Sequence, residues 1–121
     1  MKSTKLQDVA GETYGYLTTI GRRSGKPHRI EIWFGVEAGG IFLMSGGKDQ
    51  SDWVKNVIAN PTVTIEIAGD TYTGRARILS DETSDDQFAR SLLVEKYQKD
   101  KELEKWGRES LALVIDVEAE D

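Results

Sequence analysis

The sequence predicts a mainly β domain of the α+β class, built as a small antiparallel barrel. In several short segments apolar and polar residues alternate with a period of two, and glycine-containing turns separate these segments. Helical patterns do not follow every strand, which excludes a doubly wound parallel sheet. The length of 121 residues fits one domain. We therefore expect a loosely held, polar N-terminal arm (residues 1–12) and a single domain (residues 13–121).

The first half of the chain predicts three strands. Residues 13–20 are rich in threonine and tyrosine, which favour strands. Residues 28–36 alternate, and every second residue, from Ile30 to Phe34, faces one side. Residues 41–45 follow a glycine turn and are almost wholly apolar, which is typical of a strand buried on both faces.

A helix follows the third strand. Ser51 or Asp52 can cap a helix that runs to about residue 59, where Asn60-Pro61 ends it. The residues expected to face the core are Trp53, Val54, Val57 and Ile58.

The second half predicts three more strands. Residues 62–68 and 71–79 form a hairpin around Gly69-Asp70, and residues 111–117 form the last strand. Between them, Ser80 or Thr83 can start the longest helix, and a shorter one is predicted at about residues 100–106. The buried stripe of the longest helix is expected to contain Phe88, Leu92, Leu93 and Tyr97.

Composition excludes several classes of function. The chain carries 16 Lys and Arg against 21 Asp and Glu, a net charge of −5, which argues against a protein that coats nucleic acid. It has no cysteine and one histidine, so we expect no disulfide, no metal site and no Ser-His-Asp triad. No segment is long and apolar enough to be predicted as a membrane span or a signal peptide, and we expect a cytoplasmic protein.

Positive charge is concentrated in one short stretch of this acidic chain. Residues 1–60 have a balance of +2, whereas residues 61–121 have a balance of −7. The stretch at residues 21–29, here called the basic turn, contains Arg22, Arg23, Lys26, His28 and Arg29 and no acid. Such a cluster indicates a small anionic ligand more than a long polyanion, although a solvated surface turn explains it equally well.

Two glycine-containing turns are candidates for anion binding. Backbone N–H groups exposed in the basic turn, with its guanidinium and ammonium groups, suit phosphate or carboxylate. The second, here called the glycine turn (residues 45–47), precedes the first helix, where N–H groups also point outward. Neither turn has the spacing of a Walker loop or a dinucleotide fingerprint. We expect the two turns to clasp a cofactor from both sides.

From about residue 16 to residue 117 the chain resembles the deazaflavin-dependent nitroreductase and quinone reductase family. The family pattern Thr-Thr-x-Gly-Arg-Arg/Lys-Ser/Thr-Gly is matched by residues 18–25, and its Ser-x-Gly-Gly type of loop by residues 45–47. A Trp-x-x-Asn helix followed by Ala-x-Pro-x-Val is matched by residues 53–63. The resemblance implies a six-stranded antiparallel split β-barrel with two or three peripheral helices, related to the FMN-binding pyridoxamine-phosphate-oxidase fold.

The resemblance also implies a cofactor, the deazaflavin coenzyme F-420. The basic turn would hold its phosphate and glutamyl tail, and the ring would lie in a groove that the glycine turn helps to line. The implied tail-side residues are Arg22, Arg23, Ser24, Gly25, Lys26, Pro27 and His28. The implied ring-side residues are Met44, Ser45, Gly46 and Gly47, while Trp53 and Asn56 brace the loop.

The implied activity is hydride transfer from the reduced deazaflavin to a small electrophilic acceptor such as a quinone, an enone or a nitro compound. An FMN-dependent reductase on the same fold and a non-catalytic flavin or lipid carrier are the alternatives, and a homodimer is the expected assembly. Substrate-side candidates are Glu31, Trp33 and Tyr97. A Glu31–Arg29 pair, and core or dimer packing of the two aromatic rings, explain the same residues. No activated nucleophile or acid–base pair is evident, so no catalytic side chain is predicted.

Overall fold

The computed structural model describes residues 6, 8–37, 39–79, 83–97 and 110–118 of the chain. Seven strands and two α-helices make up this part of the molecule. The strands are β1 (Gly15–Ile20), β2 (Pro27–Ile32), β3 (Gly35–Glu37), β4 (Gly40–Ser45), β5 (Thr62–Ile67), β6 (Asp70–Ile78) and β7 (Leu111–Val117). The helices are α1 (Asp52–Ala59) and α2 (Ser84–Lys96), and a short 3-10 turn (Lys48–Gln50) precedes α1.

All seven strands belong to one antiparallel sheet, in the order β2-β1-β5-β6-β7-β4-β3. The edge strands β2 and β3 are neighbours in sequence, separated only by Trp33 and Phe34. Consecutive Cα atoms are about 3.8 Å apart, so the end of β2 lies within about 11 Å of the start of β3. The sheet therefore curls until its edges come together. This confirms the split antiparallel barrel, with seven strands instead of six.

The additional strand arises because the predicted strand at residues 28–36 is broken at Trp33 and Phe34. The Phe34 N–H donates to the hydroxyl of Tyr97 at 3.1 Å. The Phe34 carbonyl accepts from Lys96 Nζ at 2.9 Å, and its oxygen lies 3.1 Å from the Tyr97 hydroxyl. Side chains at the end of α2 thus form hydrogen bonds with the Phe34 backbone groups that would otherwise pair with a strand. We call this junction the seam.

The core fills the inside of the curled sheet, and β4 is buried on both faces as predicted. Ile41 and Leu43 belong to the main core cluster, whereas Met44 packs in a second cluster with Leu93 of α2. Helix α2 contacts both β4 and β7. It therefore covers the outer face of these two strands, which explains why their sequences are mostly apolar.

The N-terminal arm is held more firmly than its polar sequence predicts. Leu6 and Val9 are only 3% and 6% exposed, and both belong to the main core cluster. Burying one aliphatic side chain of this size stabilises a fold by about 1.5–3 kcal/mol. The expectation of a loose arm is therefore wrong for the part of the arm that contains these two residues.

Helix α1 packs on the sheet with Val54 and Val57 buried and Trp53 half-buried against the core, as predicted. The prediction is wrong for Ile58, which is 60% exposed. The buried arc of the helix extends instead to Asn56, which is 4% exposed. The amide of Asn56 faces inward because it donates a hydrogen bond to Thr19 of β1. With Asn56 on the buried side of the helix, Ile58 lies outside the buried arc.

Helix α2 begins at the predicted Thr83 cap, whose Oγ1 accepts a hydrogen bond from the Asp86 N–H at 3.2 Å. Leu93 and Tyr97 are buried, as predicted. Phe88 was expected in the same stripe but is 42% exposed. It rests edge-on against an aromatic ring of β4, so it covers the margin of the second core cluster.

The short helix predicted at about residues 100–106 lies outside the described residues. Helix α2 has 13 residues, whereas about 20 apolar residues are needed to cross a bilayer. Among the helices that the structure describes, none is long and apolar enough to span a membrane.

Candidate functional site

The basic turn connects β1 and β2, and several of its backbone N–H groups form hydrogen bonds within the turn. The Gly21 N–H donates to the Lys26 carbonyl at 2.8 Å, and the Gly25 N–H donates to the Gly21 carbonyl at 2.9 Å. The Lys26 N–H donates to Ser24 Oγ at 3.1 Å. Gly25 has a φ of 71°, which glycine adopts most readily. The expectation that backbone N–H groups of this turn face a ligand is therefore wrong for Gly21, Gly25 and Lys26, whose N–H groups are bonded within the turn.

Helix α1 fixes the first arginine of the basic turn. The backbone N–H and Nη1 of Arg22 donate to Asn56 Oδ1 at 3.1 and 2.9 Å. Asn56 Nδ2 donates in turn to Thr19 Oγ1 at 3.2 Å, and Asn56 and Thr19 are 4% and 1% exposed. Asn56 was expected to brace a loop of the site, and the segment that it holds is the basic turn. Thr19 was not among the predicted site residues, although it belongs to the motif at residues 18–25, because a threonine in a strand is ordinary.

The Arg22 guanidinium also forms an ion pair with Asp52, the first residue of α1. Arg22 Nη2 lies 3.3 Å from Asp52 Oδ1, and Nη1 lies 3.5 Å from the Asp52 carbonyl. The side chain of Arg22 is 25% exposed, whereas that of Asp52 is 88% exposed. A nearly buried amide therefore holds the arginine from inside, and an open carboxylate pairs with it from outside.

Arg29, the last cation of the basic turn, is engaged on the outer face of the sheet. Its Nη2 lies 3.3 Å from Glu66 Oε1, and its guanidinium carbon lies 4.6 Å from the centre of the Tyr16 ring. The expected pairing of Arg29 with Glu31 is therefore wrong. Glu31 instead accepts a hydrogen bond of 3.4 Å from the Tyr16 hydroxyl. Strand β1 lies between β2 and β5, and Arg29 reaches diagonally across it.

The remaining polar side chains of the basic turn face solvent. Arg23 and Lys26 are exposed, and the structure shows no ion pair for either with any residue it describes. His28 Nε2 lies 3.5 Å from Ser24 Oγ. A Cβ on Gly21 would lie 2.6 Å from the same Nε2, so the glycine lets His28 fold over the turn.

A cleft of about 470 Å³ lies between the basic turn and α1. Its size is within the range of small-molecule sites. The lining residues are Thr19, Gly21, Arg22, Arg23, Ser24, His28, Arg29, Ile30, Asp52, Trp53 and Asn56. Four of the predicted tail-side residues are among them, while Gly25, Lys26 and Pro27 lie on the same turn outside the lining. The cleft combines cations with polar donors, which suits the anionic end of a small molecule.

The glycine turn lies one short helical turn before α1. Ser45 Oγ donates to the Lys48 carbonyl at 3.0 Å and lies 2.8 Å from Ser51 Oγ, so Ser45 stitches the turn to the start of the helix. Gly46 and Gly47 are exposed. A Cβ on Gly47 would lie 2.5 Å from Ser51 Oγ. Met44 and Ser45 are 4% and 3% exposed, and none of the four ring-side candidates lines the cleft.

The aromatic substrate-side candidates lie at the seam. The rings of Trp33 and Tyr97 stack with centres 4.3 Å apart and planes 3° apart. The Tyr97 hydroxyl also donates to the Thr13 carbonyl at 2.8 Å, and burial raises the pKa of Tyr97 while its hydrogen bond with Phe34 opposes the rise. These two rings therefore stack on each other, and neither they nor Glu31 lines the cleft.

Lys96, also at the seam, has an unusual environment. Its Nζ lies 3.8 Å from the centre of the Phe34 ring and 5.1 Å from that of Tyr97. Burial lowers the pKa of Lys96 to about 8, although the negative charge of Glu12 opposes the decrease. The amine therefore titrates closer to neutral pH than an ordinary lysine.

Comparisons with known proteins agree with this fold. A family model described as F-420-H(2)-dependent quinone reductase matches residues 3–118. A solved F-420-H2-dependent reductase is 25% identical, with a TM-score of 0.69 over 87% of this chain and 93% of its own. The heme storage protein HutZ from Vibrio cholerae shares the fold, with a TM-score of 0.79 and 13% identity over 97% and 90% of the two chains. A conserved hypothetical protein from Mycobacterium tuberculosis gives a TM-score of 0.77 and 21% identity over 98% and 82%.

The family match decides between the alternatives that the sequence left open. Its members are oxidoreductases that depend on reduced coenzyme F-420, which favours F-420 over FMN and an enzyme over a carrier. The cationic cleft at the basic turn is chemically suited to an anionic group. The chain belongs to the F-420-H(2)-dependent quinone reductase family, and its cofactor is coenzyme F-420.

Proposed function

We propose that the protein transfers a hydride from reduced coenzyme F-420 to a small electrophilic acceptor, namely a quinone, an enone or a nitro compound. The observation that carries the proposal is the cleft at the basic turn. There Arg22 is held in position by Asn56, and Arg23 is exposed without an ion pair to any described residue. Phosphate and carboxylate groups form strong charge-assisted hydrogen bonds with such guanidinium groups.

In this proposal the basic turn holds the tail of the cofactor. Arg22 and Arg23 supply cationic donors, and Ser24 and His28 supply further polar contacts within the same cleft. Lys26 adds positive charge at the outer part of the turn. The size of the cleft suits part of the cofactor, so the rest must lie beyond it.

We assign the ring of the cofactor to the side of the glycine turn. Gly46 and Gly47 are exposed there, and the 3-10 turn and α1 join this segment to the cleft. Met44 and Ser45 are buried, so in this assignment they support the turn from below. A side chain at residue 46 or 47 would then obstruct the ring.

Reduced coenzyme F-420 supplies the hydride when it is bound. The part of the chain is to bind the cofactor and the acceptor, to orient them and to exclude water. Glu31 is exposed on an outer strand, and the Tyr97 hydroxyl is occupied at the seam. We therefore assign no catalytic acid or base.

Anaerobic turnover with menadione tests this proposal. Reduced F-420 is mixed with enzyme and acceptor, and the recovery of oxidised deazaflavin absorbance is followed. We expect turnover with F-420 and tighter binding of F-420 than of FMN, because the four Lys and Arg residues of the basic turn exceed what a single phosphate needs. No turnover with quinone, enone and nitro acceptors would contradict the proposal.

We also propose that the protein is a cytoplasmic homodimer. Large apolar side chains, among them Tyr14, Ile58 and Phe88, are exposed on the single chain and support association. Light scattering is expected to give twice the 13.5 kDa mass of the chain. A mass equal to one chain would contradict the dimer.

A further inference from the structure

The cleft contains one group that opposes its positive charge. Asp52 is the first residue of α1 and lines the cleft beside the basic turn. Its Oδ1 lies 3.3 Å from Arg22 Nη2, and its side chain is 88% exposed. A carboxylate in this position repels an anionic ligand and occupies a donor that the ligand needs.

Arg22 does not depend on Asp52 for its position. Its Nη1 and backbone N–H both bond to Asn56 Oδ1, and Asn56 is buried and bonded to Thr19. An ion pair with a carboxylate as exposed as that of Asp52 is weak, because water solvates the carboxylate well. The carboxylate can therefore turn away while the guanidinium stays in place.

We propose that Asp52 is an internal competitor for the anionic end of the cofactor. It pairs with Arg22 in the free protein and releases that guanidinium when a phosphate or carboxylate of the tail binds. Asp52 thus limits the affinity for ligands that carry the tail and has no such effect on ligands without one. This inference rests on the proposed position of the tail at the basic turn.

The test compares Asp52→Asn with Asp49→Asn. Asp49 lies in the 3-10 turn just before α1, is exposed and is outside the cleft lining. Asp49→Asn therefore removes the same charge as Asp52→Asn, but from a nearby position outside the cleft. Each protein is titrated by fluorescence with F-420 and with the deazaflavin riboside that lacks phosphate and tail. We expect Asp52→Asn to bind F-420 about two- to fivefold tighter than wild type, the equivalent of one exposed ion pair. We expect Asp49→Asn to match wild type, and the riboside to bind all three proteins equally.

Each other outcome has a definite meaning. If wild type binds F-420 and a folded Asp52→Asn protein binds it no tighter, the inference is overturned and the proposed function stands. An equal gain from both variants shows a general charge effect and also overturns the inference. A wild type that binds no F-420 overturns both. Asp52→Ser, which keeps a polar group at the start of the helix, must reproduce the gain, and thermal unfolding checks that every variant is folded.

Discussion

At the scale of single residues, one buried amide organises the cationic site. Asn56 accepts two hydrogen bonds from Arg22 and donates one to Thr19, so it links α1, the basic turn and β1. An arginine on a solvated turn loses side-chain entropy when it binds a ligand. Because Asn56 already holds Arg22 in the free protein, much of that loss is avoided, and the guanidinium is preorganised for an anion.

Asn56→Ala is expected to weaken both the fold and the site. It leaves the buried Thr19 hydroxyl without the donor that Asn56 supplies, and an unsatisfied buried group costs about 1–3 kcal/mol. Urea unfolding measures the loss of stability, and F-420 titration measures the loss of affinity. Asn60→Ala is the control, because the Asn60 Oδ1 accepts an exposed hydrogen bond from the Thr62 N–H. Equal effects of the two substitutions would contradict the bracing role of Asn56.

Gly21→Ala is expected to impair cofactor binding more than stability. The added Cβ would lie 2.6 Å from His28 Nε2 and 2.7 Å from Ser24 Oγ, and both side chains can move into solvent. Gly74→Ala provides the contrast, because its Cβ would lie 2.5 Å from the Asp116 carbonyl oxygen in the sheet. Thermal unfolding should show the larger loss for Gly74→Ala. A Gly21→Ala protein that binds F-420 like wild type would show that His28 and Ser24 do not contact the ligand.

At the scale of elements, the end of α2 closes the barrel at the seam. The backbone of Phe34 leaves the sheet, and the side chains of Lys96 and Tyr97 replace the missing strand partners. The Tyr97 hydroxyl also reaches Thr13, just before β1. Three segments distant in sequence therefore depend on one helix end.

Tyr97→Phe is expected to destabilise the protein without abolishing activity. Removing the hydroxyl leaves the buried Phe34 N–H without its acceptor, at a cost of about 1–3 kcal/mol. Turnover by the folded variant should stay within about 100-fold of wild type, the low end of acid–base contributions. Tyr14→Phe, on an exposed tyrosine, is the control for urea unfolding. A Tyr97→Phe protein as stable as wild type would contradict the role of the hydroxyl at the seam.

The seam should also make stability depend on pH. Burial lowers the pKa of Lys96 from 10.5 to about 8, so between these values the unfolded chain binds more protons than the folded one. Stability therefore gains a contribution that rises with pH through this window. Lys96→Met keeps an apolar stem but removes the charge, and the difference between the two proteins isolates this residue. Urea unfolding from pH 7 to pH 10 should show a smaller rise for Lys96→Met, and parallel profiles would contradict the shift.

At the scale of the whole molecule, local patterns predicted what depends on local forces. The alternation in residues 62–68 and 71–79 located β5 and β6 because a period of two directly reflects the pleat of a strand. The basic turn was located by its glycines and charges. The break at Phe34 was missed because its cause, Tyr97, lies 63 residues away. The hydrogen bonds between Arg22 and Asn56 were missed for the same reason, since the two residues are 34 positions apart.

The distribution of charge over the molecule agrees with the proposed function. The chain is acidic overall, but the exposed cations of the basic turn lie beside one cleft. A positive site on a negative protein attracts a small anion locally, while the net charge disfavours nucleic acid. The acidic second half thereby contributes to selectivity at the level of the whole protein.

The central claim is that the basic turn holds the anionic tail of F-420, and one titration tests it most directly. The Kd of F-420 is measured for wild type, Arg23→Ala and the control Arg75→Ala, whose arginine is exposed on β6 outside the cleft. Loss of a charge-assisted hydrogen bond of about 1–3 kcal/mol predicts binding about 5- to 140-fold weaker for Arg23→Ala, with Arg75→Ala unchanged. Wild-type affinity should also fall with added salt, which screens such charges beyond about 8 Å at physiological ionic strength. Equal affinities for the two variants, or an affinity that salt does not alter, would contradict the claim.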